Sequence, residues 1–321
     1  LISHLYTADP SAHVFDGTIY IYPSHDRETA TEDNDLGDQY DMVDYHVFSM
    51  ESIDGQVEDH GVALALEDIP WAERQLWAPD AAEKDGTYYF YFPAKGADGI
   101  FRIGVASSPS PSGPFVAEKK PIDGSYSIDP CSFVDTDGTV YLYFGGIWGG
   151  QLQNWQTGSY DADGAEPADS EAAIMPRVGA LDTSMKSFAE DIKEVQLLDA
   201  DGTPLKAGDH ERRFFEGPWV HKRGDVYYFS YSTGDTHYLA YATGDNPLGP
   251  FTYQGRILEP VLGWTTHHSI VEFAGRWYLF YHDASLSNGV NHLRCVKVKE
   301  LDYDDAGQMF ILSKETPQKA L

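Results

Sequence analysis

The sequence predicts an all-β fold: a five-bladed β-propeller with four antiparallel strands per blade, a single domain over residues 1–321. Three observations lead there. A hairpin phrase, in which a glycine turn opens a strand of β-branched and aromatic residues, recurs at residues 15–22, 84–91, 135–143, 222–229 and 273–280. Such a turn between apolar strands is a strong short-range hairpin signal. The copies also continue alike, with Ser112-Gly113-Pro114-Phe115 echoed by Leu248-Gly249-Pro250-Phe251, so each unit holds about four short strands. Helical periodicity is scarce, its best candidates being the short stretches 69–75 and 187–195. Four-stranded units repeated radially make a propeller; a two-sheet sandwich accounts less well for five near-equal hairpins.

The blades follow in order as residues 2–66, 71–122, 126–198, 212–260 and 264–312. Eight or nine residues before the turn glycine of each stands a side chain of different chemistry: Asp9, Trp77, Asp129, Glu216 and His267. A constant scaffold with one varying position points to a shared site at the centre. If the first strand of a blade starts at one mouth of the channel, the glycine turn lies at the other face and the second strand returns. Ser24, His25 and Asp26, then Trp148, Ser232 and His282 should therefore share a mouth with the three acids. The third strand leaves from the same mouth and brings Arg294 to it. Connections 28–41 and 149–171, acidic and rich in Gly, Ala and Asp, are expected as mobile walls of the pocket.

Composition narrows the partners. Hydrophobic residues at 42% and aromatics at 14% suit a β-rich globular chain rather than a disordered one. No apolar run approaches membrane-spanning length and no basic-then-apolar leader opens the chain; with no disulfide pattern, the cytoplasm is favoured. Fifty-one acidic against 22 basic side chains give a net charge of −29. That field repels phosphate backbones and anionic lipid, so neither nucleic acid nor membrane is expected as a partner, and a neutral substrate fits. Cys131 and Cys295 read as buried free thiols.

Asp9, Asp129 and Glu216 begin three inner strands. One alone reads as a turn residue, since Asp-Pro and Glu-Gly-Pro punctuate loops. Three at one repeat position converge on one axis, where their mutual repulsion costs stability, and that arrangement calls for a function. Facing carboxylates around a neutral-substrate pocket suit glycoside hydrolysis: one ionised, the other keeping a proton for the leaving oxygen. Phe214, Phe215, Pro218 and Trp219 around Glu216 should desolvate it and raise its pKa, as a general acid needs. Thr7, Ser11 and His13 give Asp9 a polar setting suited to a base. Asp129 is expected to keep Glu216 protonated by its own charge and to orient the sugar.

The motifs Asp9-Pro10-Ser11, Trp77-Ala78-Pro79-Asp80, Ile128-Asp129-Pro130, Glu216-Gly217-Pro218 and His267-His268-Ser269-Ile270, one per blade in this order, resemble those of glycoside hydrolase family 43, from Leu5 to about Leu312. The resemblance implies five-bladed inverting enzymes that cut β-xylosides and α-L-arabinofuranosides. It makes Asp9 the general base, Asp129 the pKa modulator and Glu216 the general acid. Inversion implies carboxyls of Asp9 and Glu216 about 6.5–9.5 Å apart. Trp77 offers a face for a sugar ring, and Arg294 is similar to the family's sugar-binding arginine. His25 and Asp26 are expected to touch sugar or orient Arg294, with Ile128, Trp148 and Trp155 as walls. The family often holds calcium in the channel through one histidine and waters, implying a largely hydrated ion at His267, or at His268; no organic cofactor is implied. Strand alternation lets only one of the two face the channel, and the spacing to Ser269 in the family pattern favours His267. Three readings follow: exo-acting β-1,4-xylosidase on hemicellulose oligosaccharides, α-L-arabinofuranosidase, or a non-catalytic sugar-binding propeller.

Overall fold

The computed structural model describes residues 1–312; the rest of the expected domain, 313–321, lies outside the described residues. Twenty-one strands form five sheets. The first holds β1 (Tyr6–Phe15), β2 (Thr18–Asp26), β3 (Asp44–Met50) and β4 (Glu58–Ala65). The second holds β5 (Asp80–Lys84), β6 (Thr87–Lys95), β7 (Phe101–Ser108) and β8 (Val116–Ala117). The third holds β9 (Cys131–Val134), β10 (Val140–Phe144), β11 (Arg177–Ala180) and β12 (Lys193–Glu194). After β13 (Leu197–Leu198) come β14 (Glu216–Arg223), β15 (Val226–Ser232), β16 (Leu239–Gly244) and β17 (Phe251–Leu258). The last sheet holds β18 (His268–Phe273), β19 (Arg276–Asp283), β20 (Cys295–Tyr303) and β21 (Met309–Ile311).

Each blade's four strands run from the axis outward in chain order with antiparallel neighbours, and only β13, added at the outer edge of the fourth sheet, departs from both rules. The inner strands β1, β5, β9, β14 and β18 touch in turn, and β18 touches β1, which closes a ring of five blades. Blades stack face to face, so second strands are apolar on both sides. That is why they read as aromatic runs rather than strict alternation: in β6, Phe90, Tyr91 and Phe92 are all fully buried. Phe90 packs on Tyr22 and Tyr45 of the neighbouring blade, 5.8 and 5.0 Å between ring centroids.

Among the described residues the ring closes without exchange of a strand between first and last blades. Hydrogen bonds do it instead: Thr7 N donates to Arg294 O (2.9 Å), Asp9 N to His282 Nδ1 (3.0 Å) and Ala12 N to Ser269 Oγ (3.0 Å). Midway down the channel the buried Asp80 carboxylate of the second blade draws in Ser11 Oγ and His13 Nε2 from the first and Ser132 from the third.

Three expectations change. Residues 197–198 leave blade 3 and pair in parallel with β17 at the edge of blade 4. Neither 69–75 nor 187–195 is helical; the helices among the described residues are 3-10 turns such as Leu66–Asp68 and Leu152–Trp155. Ser11 and His13 face Asp80, not Asp9. Cys131 and Cys295 are buried free thiols, as expected.

Candidate active site

The starts of the inner strands share a construction. Asp9 and Asp129 adopt φ of 49° and 57°, a left-handed conformation that non-glycine residues adopt rarely and mostly where function demands it. The proline that follows each has no N–H to give the sheet. In β1 the register slips between Ala8 and Ser11, and in β14 between Glu216 and Trp219. Such bulges re-aim side chains, here toward a pocket of about 190 Å³ lined by Asp9, Asp129, Glu216, Arg294 and His267. Glycine at 146 makes room: a Cβ there would come within 2.6 Å of Ile128 Cδ1 and 3.2 Å of Glu216 Cβ.

The acids have opposite electrostatic settings. Burial disfavours ionised Asp9, but Arg294 above all, helped by His282, His267 and Ser24, overrides it and holds the carboxyl at about 2. Its Oδ1 accepts from Arg294 Nη1 (3.0 Å) and its Oδ2 from Ser24 Oγ (2.7 Å). Burial pushes Glu216 up to about 8, with the charge of Asp9 adding to the rise and Arg294 opposing it. Asp129 is raised as well, by burial and then by Glu216 and Asp9, and its Oδ2 accepts from Gly217 N at 2.9 Å. Two such neighbours titrate as a unit and keep a proton between them. The charge that lifts Glu216 is that of Asp9, where the sequence pointed to Asp129.

Arg294 is almost fully buried. Asp26 clamps it through Nε (2.9 Å), Nη2 (2.8 Å) and the backbone N (2.8 Å), a bidentate pairing that fixes the guanidinium plane. His25 is corrected. Side chains alternate along β2, so Ser24 and Asp26 face the axis while His25 turns to Asp44 on β3, 2.5 Å away, and does not line the pocket. Trp155 also lies elsewhere, stacked on Tyr126.

Trp77, Ile128 and Trp148 do line the pocket. Trp77 Nε1 donates to Tyr40 O (2.8 Å) and Trp148 Nε1 to Glu166 Oε1 (2.7 Å), so loops 28–41 and 149–171 each brace one wall. Asp33, Asn34 and Asp35 of the first loop reach the rim. Tyr40, Trp264 and Thr265 line it too and were missed, since they fall outside the hairpin phrase. His267 faces the pocket, whereas His268 turns to Ser230 Oγ (2.6 Å). Burial keeps His267 neutral, and neither ring nitrogen has a hydrogen-bond partner among the described residues. Buried nitrogens are rarely orphaned. A neutral imidazole so placed can bind a cation or a water.

One carboxylate held ionised and another held protonated, around a pocket walled by indoles, define a glycoside hydrolase. Comparison with known proteins agrees. The profile of Glycosyl hydrolases family 43 matches residues 2–309, and the chain belongs to that family. It is 64% identical over 318 residues to Xylosidase/arabinosidase 43A of Humicola insolens, covering 96% of this chain and 97% of that one. A xylosidase/arabinosidase of Bacteroides ovatus is 58% identical, covering 96% and 95%. CoXyl43, a β-xylosidase/α-arabinofuranosidase from a compost microbial metagenome solved with xylotriose in a calcium-free form, superposes with a TM-score of 0.95. It is 63% identical and covers 96% of this chain and 94% of that one.

Proposed function

We propose that this chain releases terminal pentose from short hemicellulose oligosaccharides with inversion, β-1,4-linked xylose first. Asp9 acts as general base on water, Glu216 as general acid on the leaving oxygen, and Asp129 as the partner that shares the proton of Glu216. Arg294 and the faces of Trp77 and Trp148 hold the sugar against Ile128. The observation that carries this reading is the split between Asp9 at about 2 and Glu216 at about 8 in one pocket, which leaves base and acid both in working form at neutral pH. Release of α-L-arabinofuranose is the second reading, favoured by relatives that carry both activities in their names.

Hydrolysis of xylotriose and of p-nitrophenyl α-L-arabinofuranoside, followed by NMR of the first-formed anomer, tests this. Release of α-xylose is expected, with arabinose release slower. A β-xylose product, or no release from either substrate, overturns it.

His267 fits a largely hydrated calcium ion. Its two partnerless nitrogens supply one neutral ligand, and Asp129 Oδ2 lies 3.8 Å from Nε2. Oxygen from water would fill the remaining positions, and the ion would supply positive charge at the channel centre. Exhaustive chelation should lower the thermal transition and activity, and calcium should restore both. No change in either removes the ion from this reading.

A further inference from the structure

On the far side of β2 from the pocket lies a second set of ligating groups. His25 Nδ1 meets Asp44 Oδ1 at 2.5 Å, and the His46 ring packs edge-on against that of His25, 4.9 Å between centroids. One ligand atom from each of the three lies within 4.8 Å of the others. All are half-buried, with side-chain exposures of 20%, 22% and 14%, so an ion from solvent can reach them. None lines the pocket.

A plain ion pair would need only His25 and Asp44. The third group is oriented by a further carboxylate: His46 Nδ1 lies 3.0 Å from Asp59 Oδ1. Asp59 is fixed in turn by Gly61 N (2.8 Å) and His4 Nε2 (2.7 Å). With Nδ1 committed to Asp59, Nε2 of His46 is the nitrogen left to bind. A histidine whose second nitrogen is held by a carboxylate is the usual setting of a metal ligand.

We propose that His25, Asp44 and His46 bind one divalent transition-metal ion, zinc by preference, with water completing the shell. Two imidazoles and a carboxylate are a zinc-type donor set, whereas calcium and magnesium favour all-oxygen cages. Bonds of about 2.0–2.2 Å place tetrahedral ligands about 3.3 Å apart. His46 must therefore move inward and His25 and Asp44 part slightly, which half-exposed side chains allow. The cation replaces the proton between His25 and Asp44, which passes to the other ring nitrogen or to solvent. The ion would grip β2 from behind, between Ser24 on Asp9 and Asp26 on Arg294.

The test uses the whole chain, stripped by chelation and dialysed into calcium buffer so that the channel does not compete. Zinc is titrated by calorimetry and cobalt(II) by visible absorption. One equivalent of zinc should bind and raise the melting temperature, and cobalt should give the intense d–d bands of a low-coordinate site. His46→Ala and Asp44→Asn should lose the site. His25→Gln, which keeps size and polarity, guards against a folding failure and should lose it too. Asp59→Asn, which leaves all three ligands in place, should weaken binding by about 10-fold or more. His60→Ala and His267→Ala should bind as the parent does. No zinc bound by the parent, equal affinity in His46→Ala and Asp44→Asn, or loss in His267→Ala alone overturns the proposal.

Discussion

The channel has two mouths built from the same five inner strands, and they differ in what those strands do at each end. The far mouth is the larger hole, about 500 Å³, lined by Phe15, Phe133, Trp219 and Trp277. Its chemistry is settled. Lys222 Nζ reaches Asp135 Oδ1 (3.1 Å) and Tyr227 OH (2.7 Å), and Tyr227 donates to Asp135 Oδ2 (2.7 Å). The near mouth is smaller, about 190 Å³. It gathers two buried acids in left-handed backbone, Asp9 and Asp129, a half-buried third, Glu216, and a buried histidine without hydrogen-bond partners among the described residues. Volume alone would choose the wrong end. Perturbed acids and strained backbone mark the functional one.

The sharpest way to break that contrast is Asp9→Asn. If the near mouth is the working one, turnover on xylotriose should fall by roughly 10²–10⁴. The cooperative thermal transition should persist, because Arg294 keeps both bonds to Asp26. Loss of that transition by calorimetry would recast Asp9 as a structural ion-pair member.

Glu216→Gln sharpens the same contrast through stability. The folded pKa of Glu216 is raised from 4.5 to about 8. The native state therefore binds more protons than the unfolded chain between those values. The contribution of this group is fully present below pH 4.5 and is lost as pH rises through about 8. A shift of this size corresponds to about 5 kcal/mol at most. Glutamine cannot ionise, so the variant should melt a few degrees above the parent at pH 8 and match it near pH 4.5. Turnover of poor leaving groups should drop about 100-fold, and less for p-nitrophenol, which needs little protonation. Parallel melting curves across pH would show that Glu216 is not held protonated. Asp9 runs the other way: its stabilisation is present above its ordinary 3.8 and is lost as pH falls through about 2.

Much of this was legible in the sequence, and the exceptions share a cause. The five-fold hairpin phrase gave the blades because each hairpin is local, set by a turn and its flanking residues. Equivalent repeat positions gave the acids; alternation admitted only one of His267 and His268 to the channel, and the family resemblance favoured His267. What escaped depends on distant chain. Asp9 is tuned by His282 and Arg294, 273 and 285 residues away, where local reading offered Ser11 and His13. His25 sits beside the right residues, yet one step of alternation puts it on the other face of β2. Trp264 and Thr265 belong to the connection before β18, and no periodic pattern flags a connection.

The smallest expected effect is at the far mouth, where Lys222→Ala should leave kcat and KM for xylotriose unchanged. The Lys222 side chain is 20% exposed, and without it Tyr227 still donates to Asp135. Stability should hardly move either. The substitution opens the Asp135–Tyr227 trio and enlarges a cavity that is already the larger of the two. A change in KM without a change in melting temperature would mean that sugar occupies the far mouth as well. The two ends would then differ in the chemistry they perform and not in whether they bind, and Trp219 and Trp277 would be read as a second stacking surface instead of a floor. Equal kinetics in parent and variant leave the near mouth as the one place where the buried acids and the bound sugar meet.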